Sequence, residues 1–307
     1  MEQEILDAYV KAGKIAGQAL DYGCTLIVEG ASMLEVLEQI EAKILALGGD
    51  FAFPPQISLN DVAAHYCAGP DEETVFKKGD VAKLDLGVHI DGYVADTART
   101  VVIPTGDAEE DKKLELLKEA SKAALEAALK LAKPGTPLVE IGKAIEKEIK
   151  SRGFNPVVNL SGHGLGKFVI HDSPSVPNFE APTNEVLHED QAIAIEPFAS
   201  TGAGMIYESA NATIYAVQET RPVRSPMTRE VLKTIVGYNG LPFTKRWLVA
   251  KHGPGKTAMA LRELKNLGVL HEYPPLPDKA HGLVSQHEHT VIVKDEPIVT
   301  TRSSKNR

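Results

Sequence analysis

Five residues in this sequence carry side chains that could gather a cation: Asp85, Asp96, His163, Glu196 and Glu288. Asp85 lies between Leu84 and Leu86, and Glu196 follows the apolar run Ala192-Ile193-Ala194-Ile195. A carboxylate in a buried strand is costly unless it is paired or bound to metal. His163 sits in Ser161-Gly162-His163-Gly164, where glycine on both sides lets the backbone crowd close to a site. Glu288 precedes the apolar strand Val291-Ile292-Val293. Singly, each is more often structural: a satisfied acid, a turn histidine, a polar strand start. If they converge, four carboxylates and one imidazole make a hard, oxygen-rich set suited to two divalent first-row ions. Such ions acidify water and polarise a carbonyl.

The elements decide whether they converge. From Val81 to Ile103 the pattern is that of a hairpin, with Asp91-Gly92 as its turn. An even loop around Ile90 and Asp91 points Asp85 and Asp96 to the same face, and an odd loop or bulge undoes this. Helical spacing predicts one helix from Ile5 to about Tyr22 and a second from Met33 to Leu47. Glu109 to Lys133 reads as a third. Thr136 is expected to cap a fourth, with Pro137 at its first position, ending near Arg152. Short strands follow, among them Ala192 to Ile195 and Thr290 to Val293. Helices, hairpin, helices, then strands give an α+β class rather than a repeating βαβ pattern.

The 307 residues carry 33 Lys plus Arg against 42 Asp plus Glu, a net charge of −9, which argues against nonspecific nucleic-acid binding by the bulk surface. Cys24 and Cys67 form no CxxC pair and suit buried thiols in a reducing compartment. The start Met1-Glu2-Gln3-Glu4 lacks the marks of a signal peptide, and no apolar stretch approaches the roughly 18 residues of a spanning helix. The expectation is a cytoplasmic protein with no membrane partner. Between about Arg221 and Asp278 the chain turns basic, with Arg229, Lys233, Lys245, Arg246, Lys251, Lys256, Arg262 and Lys265. That segment is either a solvated helical lobe or a docking face for an anionic partner such as ribosomal RNA.

The words around these residues carry a resemblance. Asn60-Asp61-Val62-Ala63-Ala64-His65, Leu84-Asp85-Leu86-Gly87, Asp91-Gly92-Tyr93-Val94-Ala95-Asp96-Thr97-Ala98, Leu160 to Gly164, Ile195-Glu196-Pro197-Phe198, Tyr273-Pro274-Pro275-Leu276 and Glu288-His289-Thr290 span the whole chain. Together they resemble the type 2 methionine aminopeptidases among the pita-bread metallopeptidases. The resemblance implies the pita-bread, creatinase/aminopeptidase-like fold over 1–307 in the short archaeal-type form, with 221–278 as an inserted helical subdomain. It implies Asp85, Asp96, His163, Glu196 and Glu288 as ligands of two divalent ions, of Co, Mn, Fe, Zn or Ni. Glu196 would also carry a proton, and His65 and His171 would hydrogen-bond the scissile amide and the tetrahedral intermediate. Phe53, Ile170, Phe198 and Tyr273, with His65 at the rim, would wall the methionine pocket. The implied partners are N-terminal methionyl peptides and nascent chains, for a monomer that could touch ribosomes through the basic segment. Two departures, His287 beside the last ligand and Gly164-Leu165-Gly166, bear on local packing and metal preference. The alternatives are an Xaa-Pro aminopeptidase or dipeptidase of the same fold and a non-catalytic pita-bread protein that binds a partner.

Overall fold

The structure, a computed structural model, describes residues 1–209 and 211–302. Helices α1 (Gln3–Leu26) and α2 (Met33–Ala46) come first, followed by strands β1 (Asp50–Leu59), β2 (Val81–Ile90) and β3 (Tyr93–Val102). Helices α3 (Ala108–Leu129) and α4 (Leu138–Ser151) lead into β4 (Asn155–Pro156), β5 (Ser161–Gly166), β6 (Val169–Pro177), β7 (Ala192–Ile195), β8 (Phe198–Ser200) and β9 (Ile214–Val217). Then come α5 (Pro226–Val236), β10 (Phe243–Thr244), α6 (Lys245–His252), α7 (Pro254–Asn266) and β11 (Leu270–Tyr273). Strands β12 (Val284–Gln286), β13 (His289–Ile292) and β14 (Ile298–Val299) end the described chain.

Two helix pairs back two groups of sheet. Helices α1 and α2 bury Ile15, Leu20, Leu37 and Ile40 against Leu84, Leu86 and Val88 of the sheet β1-β2-β3. Helices α3 and α4 bury Leu125, Ile141 and Ile145 with Ile193, Ile195 and Val291 of the sheet β14-β13-β7-β5-β6. Each helix thus hides its apolar stripe on one sheet face, and the opposite faces are free to meet around a site.

Three local expectations are corrected. Helix α1 runs past Tyr22 through Gly23 to Leu26, because a Cβ at Gly23 would lie 2.6 Å from Leu84 Cδ2. Glycine lets the helix lie that close to β2, and this packing outweighs its weak helix propensity. Pro137 caps α4 from outside, and Leu138 is the first helical residue. The Thr136 carbonyl accepts from Leu187 N, and Pro137 bridges Val186, so that stretch is held extended. Helix α3 stops at Leu129, short of Lys133, where Leu131 and Ala132 close tighter turns onto Ala128 and Leu129.

The basic segment has its own apolar cluster, in which Tyr215, Val231, Ile235, Phe243, Leu248, Leu261 and Leu264 pack α5, α6 and α7 on the small sheet β10-β9-β11. Much of its positive charge is used internally. Arg246 is buried and makes a bidentate pair with Glu41 at 2.8 and 2.6 Å. Lys256 pairs with Glu230, and Lys265 with Glu272. Arg229 donates to the Val223 and Arg224 carbonyls.

Candidate metal centre and pocket

The β2–β3 turn has two residues, Asp91 and Gly92, with φ of 52° and 90°. These are the positive values of a type I′ turn, which suits the twist of a hairpin. With that even loop, Asp85 pairs with Ala98 and Gly87 with Asp96, so both carboxylates share one face. Asp96 is then tied to β13: its N–H donates to Thr290 Oγ1 at 2.7 Å, and that hydroxyl donates to the Asp96 carbonyl at 2.8 Å. Glu288 N donates to the Ala98 carbonyl, and Thr97 Oγ1 donates to the Glu288 carbonyl. These bonds deliver Glu288 to Asp96.

His163 enters from β5, between β6 and β7. A Cβ at Gly162 would stand 2.3 Å from the Ala194 carbonyl oxygen, and one at Gly164 would stand 2.1 Å from that of Ser173. Only glycine permits this spacing on either side of the histidine. His163 Nδ1 donates to the Gly164 carbonyl at 3.3 Å, since a carbonyl can only accept. That fixes the tautomer and leaves the Nε2 lone pair facing the acids. Nε2 lies 3.8 Å from Asp96 Oδ2 and 3.7 Å from Glu196 Oε1.

Ligand atoms of Asp96, His163 and Glu288 all lie within 4.8 Å of one another. One oxygen each of Asp85, Asp96 and Glu288 is buried with no hydrogen-bond partner among the described residues. Burial pushes the Asp85 carboxyl up to about 7. Burial, then the neighbouring acids, pushes Asp96, Glu196 and Glu288 well above the usual carboxylate range. Burial, with His171 nearby, pulls His163 down to about 3. An unprotonated imidazole and crowded carboxylates, all aimed inward, repel one another unless a cation lies between them. The residues fit a divalent metal site.

One cavity of about 210 Å³ is lined by all the candidate ligand, catalytic and pocket residues: the five above, His65, His171, Phe53, Ile170, Phe198 and Tyr273. His171 packs edge-on against His163, with centroids 4.6 Å apart, and His65 packs edge-on against Tyr273 at 5.5 Å. His65 sits at φ 68° on a loop tied to the segment after β11 through Ala63 N to Leu276 O and Leu276 N to Ala64 O. Burial lowers its imidazole to about 4, so it is neutral at pH 7. Phe53 lies over Gly87, where a Cβ would come within 2.3 Å of the ring. This sets the apolar wall beside the acids.

The structure adds residues that the sequence reading passed over. Gln286 is fully buried, and its Nε2 lies 3.5 Å from Asp85 Oδ2 and 3.4 Å from Glu196 Oε2, joining the two outer acids. It lies two residues before Glu288, in Gln286-His287-Glu288. Gln56, Ile214 and Pro242 also line the cavity. His287, the first departure, points away from the cavity side taken by Glu288 and hydrogen-bonds Ser121 at 2.9 Å. It is buried and does not line the cavity. Gly164-Leu165-Gly166, the second departure, lies within strand β5 rather than in a loop, and Leu165 is buried with Tyr9 and Ile170.

Residues 7–295 match the profile of Metallopeptidase family M24. Over 299 residues the chain is 46% identical to the methionine aminopeptidase of Pyrococcus horikoshii, covering 96% of this chain and 99% of that one. The methionine aminopeptidase of Thermotoga maritima superposes with a TM-score of 0.71 at 22% identity, covering 99% and 98% of the two chains. The prolidase of Pyrococcus furiosus gives a TM-score of 0.58 at 21% identity and is matched over 65% of its length. The mixed sheet-and-helix architecture is thus the pita-bread fold shared by these structures, and the chain belongs to Metallopeptidase family M24.

Proposed function

We propose that this chain is a metal-dependent aminopeptidase that removes N-terminal methionine when a small residue follows. The observation that carries the reading is an apolar slot, Phe53, Ile170, Phe198, Ile214 and Tyr273, opening directly onto the acid–imidazole cluster. The cavity is smaller than the roughly 300–1,000 Å³ of drug-sized ligand sites, so it suits one side chain and its adjoining backbone. An unbranched, polarizable side chain fills such a slot well and gains roughly 1.5–3 kcal/mol on burial.

Asp85, Asp96, His163, Glu196 and Glu288 would together hold two divalent ions. Bound there, the ions would supply a polarised carbonyl and an acidified water. The metals could be Co, Mn, Fe, Zn or Ni. Glu196 carries a proton to the leaving amine. His65 and His171 hydrogen-bond the scissile amide and the tetrahedral intermediate, a role that suits the neutral His65. Gln286 holds Asp85 and Glu196 in register from behind. A bulky second side chain would overpack this corner, at roughly 1–3 kcal/mol.

We read the lobe at 221–278 as a solvated insertion rather than an RNA-docking face, since Arg246, Lys256, Lys265 and Arg229 are committed within the protein. Co-sedimentation with ribosomes at physiological salt would overturn that reading. Among the described residues no helix is long and apolar enough to cross a membrane, and we place the activity in the cytoplasm, in a monomer acting on nascent chains. Peptide specificity tests the function itself. Met-Ala-Ser should be cleaved far faster than Ala-Pro-Ser, with Met-Leu-Ser slow. The reverse order would favour the prolyl alternative, and inert peptides with every metal would favour a binding protein.

A further inference from the structure

The slot is not wholly apolar. Outside the acids and imidazoles, the polar side chains lining the cavity are those of Gln56, Asn159 and Ser161 and the Tyr273 phenol. Asn159 is satisfied at both ends by Ile206, and Ser161 accepts from Ser175. Gln56 differs. It is only 6% exposed, its Oε1 is enclosed, and among the described residues its amide has no hydrogen-bond partner.

A bulge puts it there. Phe53 pairs with Gly87 and Gln56 with Asp85, a shift of one residue in register. On a regular strand residues three apart face opposite ways, so without the bulge Phe53 and Gln56 could not both face the cavity. Pro54-Pro55 lies between them and offers no N–H to the ladder, which favours the bulge at that point. With Oε1 enclosed, the Nε2 donors are the end left toward the cavity.

A thioether placed against that amide strips its water and returns no acceptor, a loss for a buried donor. We propose that Gln56 lets the pocket accept a side chain of methionine's length that ends in an uncharged hydrogen-bond acceptor, methionine sulfoxide, so that peptides with an oxidised N-terminal methionine are also substrates. The inference rests on the aminopeptidase reading above. The sulfoxide oxygen is a strong acceptor on a chain of nearly the same shape. A carboxylate of similar reach would meet Asp85, the cross-strand neighbour of Gln56.

The test compares Met-Ala-Ser with its sulfoxide, both epimers supplied, on metal-loaded protein. Calorimetry with free methionine, methionine sulfoxide and norleucine gives a readout independent of turnover. The wild type should cleave one sulfoxide epimer within about tenfold of the methionine peptide and bind free methionine sulfoxide more tightly than norleucine. In Gln56→Met and Gln56→Leu the sulfoxide-to-methionine ratio should fall by about tenfold or more, the scale of one lost hydrogen bond. A wild type that discriminates more than about a hundredfold against both epimers overturns the proposal. So does a ratio that moves less than about threefold in a folded variant. If the variants fail to fold, the wild-type binding order decides. Failure of Met-Ala-Ser itself would instead count against the aminopeptidase reading.

Discussion

Replacing Glu196 by Gln keeps the shape of the side chain and removes its capacity to take up a proton. The structure shows what else changes. Glu196 Oε2 faces the Gln286 donor at 3.4 Å and Oε1 faces His163 Nε2 at 3.7 Å. The amide can keep the first contact only by turning its oxygen to Gln286, which aims its NH₂ at the metal position. Proton transfer by a placed group contributes about 10²–10⁴ in rate, and the variant should lose at least that much in kcat, or roughly 3–5 kcal/mol of barrier. KM for Met-Ala-Ser should move little, because the substitution leaves the cavity wall of Phe53, Ile170 and Tyr273 unchanged. Steady-state kinetics at saturating metal, paired with metal content by mass spectrometry, separates lost chemistry from a lost ion. A variant with full metal content and kcat within about tenfold of wild type would show that Glu196 is not the proton carrier.

Removing the metals should make stability fall with rising pH. Asp85, raised to about 7 by burial, holds a proton in the folded state that the unfolded chain releases near 4, so its contribution is present below pH 4 and lost through pH 7. At 1.36 kcal/mol per unit this is about 4 kcal/mol from Asp85 alone. Denaturant titrations of chelated protein at pH 5 and 7 check it, and equal stability at both would contradict it. Lys83 behaves in the opposite sense: burial lowers it to about 7, so the unfolded chain binds its proton first and stability rises from pH 7 to about 10.5. Lys83→Met should flatten that rise, and an unchanged slope would sink the assignment. As the resemblance to type 2 methionine aminopeptidases implies, a fumagillin-type epoxide should label His65, whose neutral imidazole lines the pocket. Peptide mapping that finds the adduct elsewhere would refute the placement.

The parts of this site that the sequence discloses are those where chemistry contradicts its surroundings. Acids inside Leu84-Asp85-Leu86 and after Ala192 to Ile195 stand out because apolar strands rarely carry them without cause. The Asp85–Asp96 pairing was open until the turn was known to have two residues, since parity alone decides the face. Gln56 was hidden because its facing depends on the bulge at Pro54-Pro55, which strand alternation would have reversed. The same prolines obscured β1 altogether. Arg246 read as surface charge because Glu41 lies in another helix, far away in the sequence. Gln286 was masked by chemistry: an amide neither titrates nor binds hard metals strongly, and its role lies in what it touches.

We infer that these carboxylates and His163 hold ions that this chain needs to release methionine. Chelator-stripped protein should be inert toward Met-Ala-Ser, and stoichiometric Mn²⁺, Fe²⁺ or Co²⁺ should restore release of free methionine and Ala-Ser. Asp96→Asn should abolish both metal retention and that recovery. Full activity in stripped protein, or activity restored in Asp96→Asn without bound metal, would contradict the account.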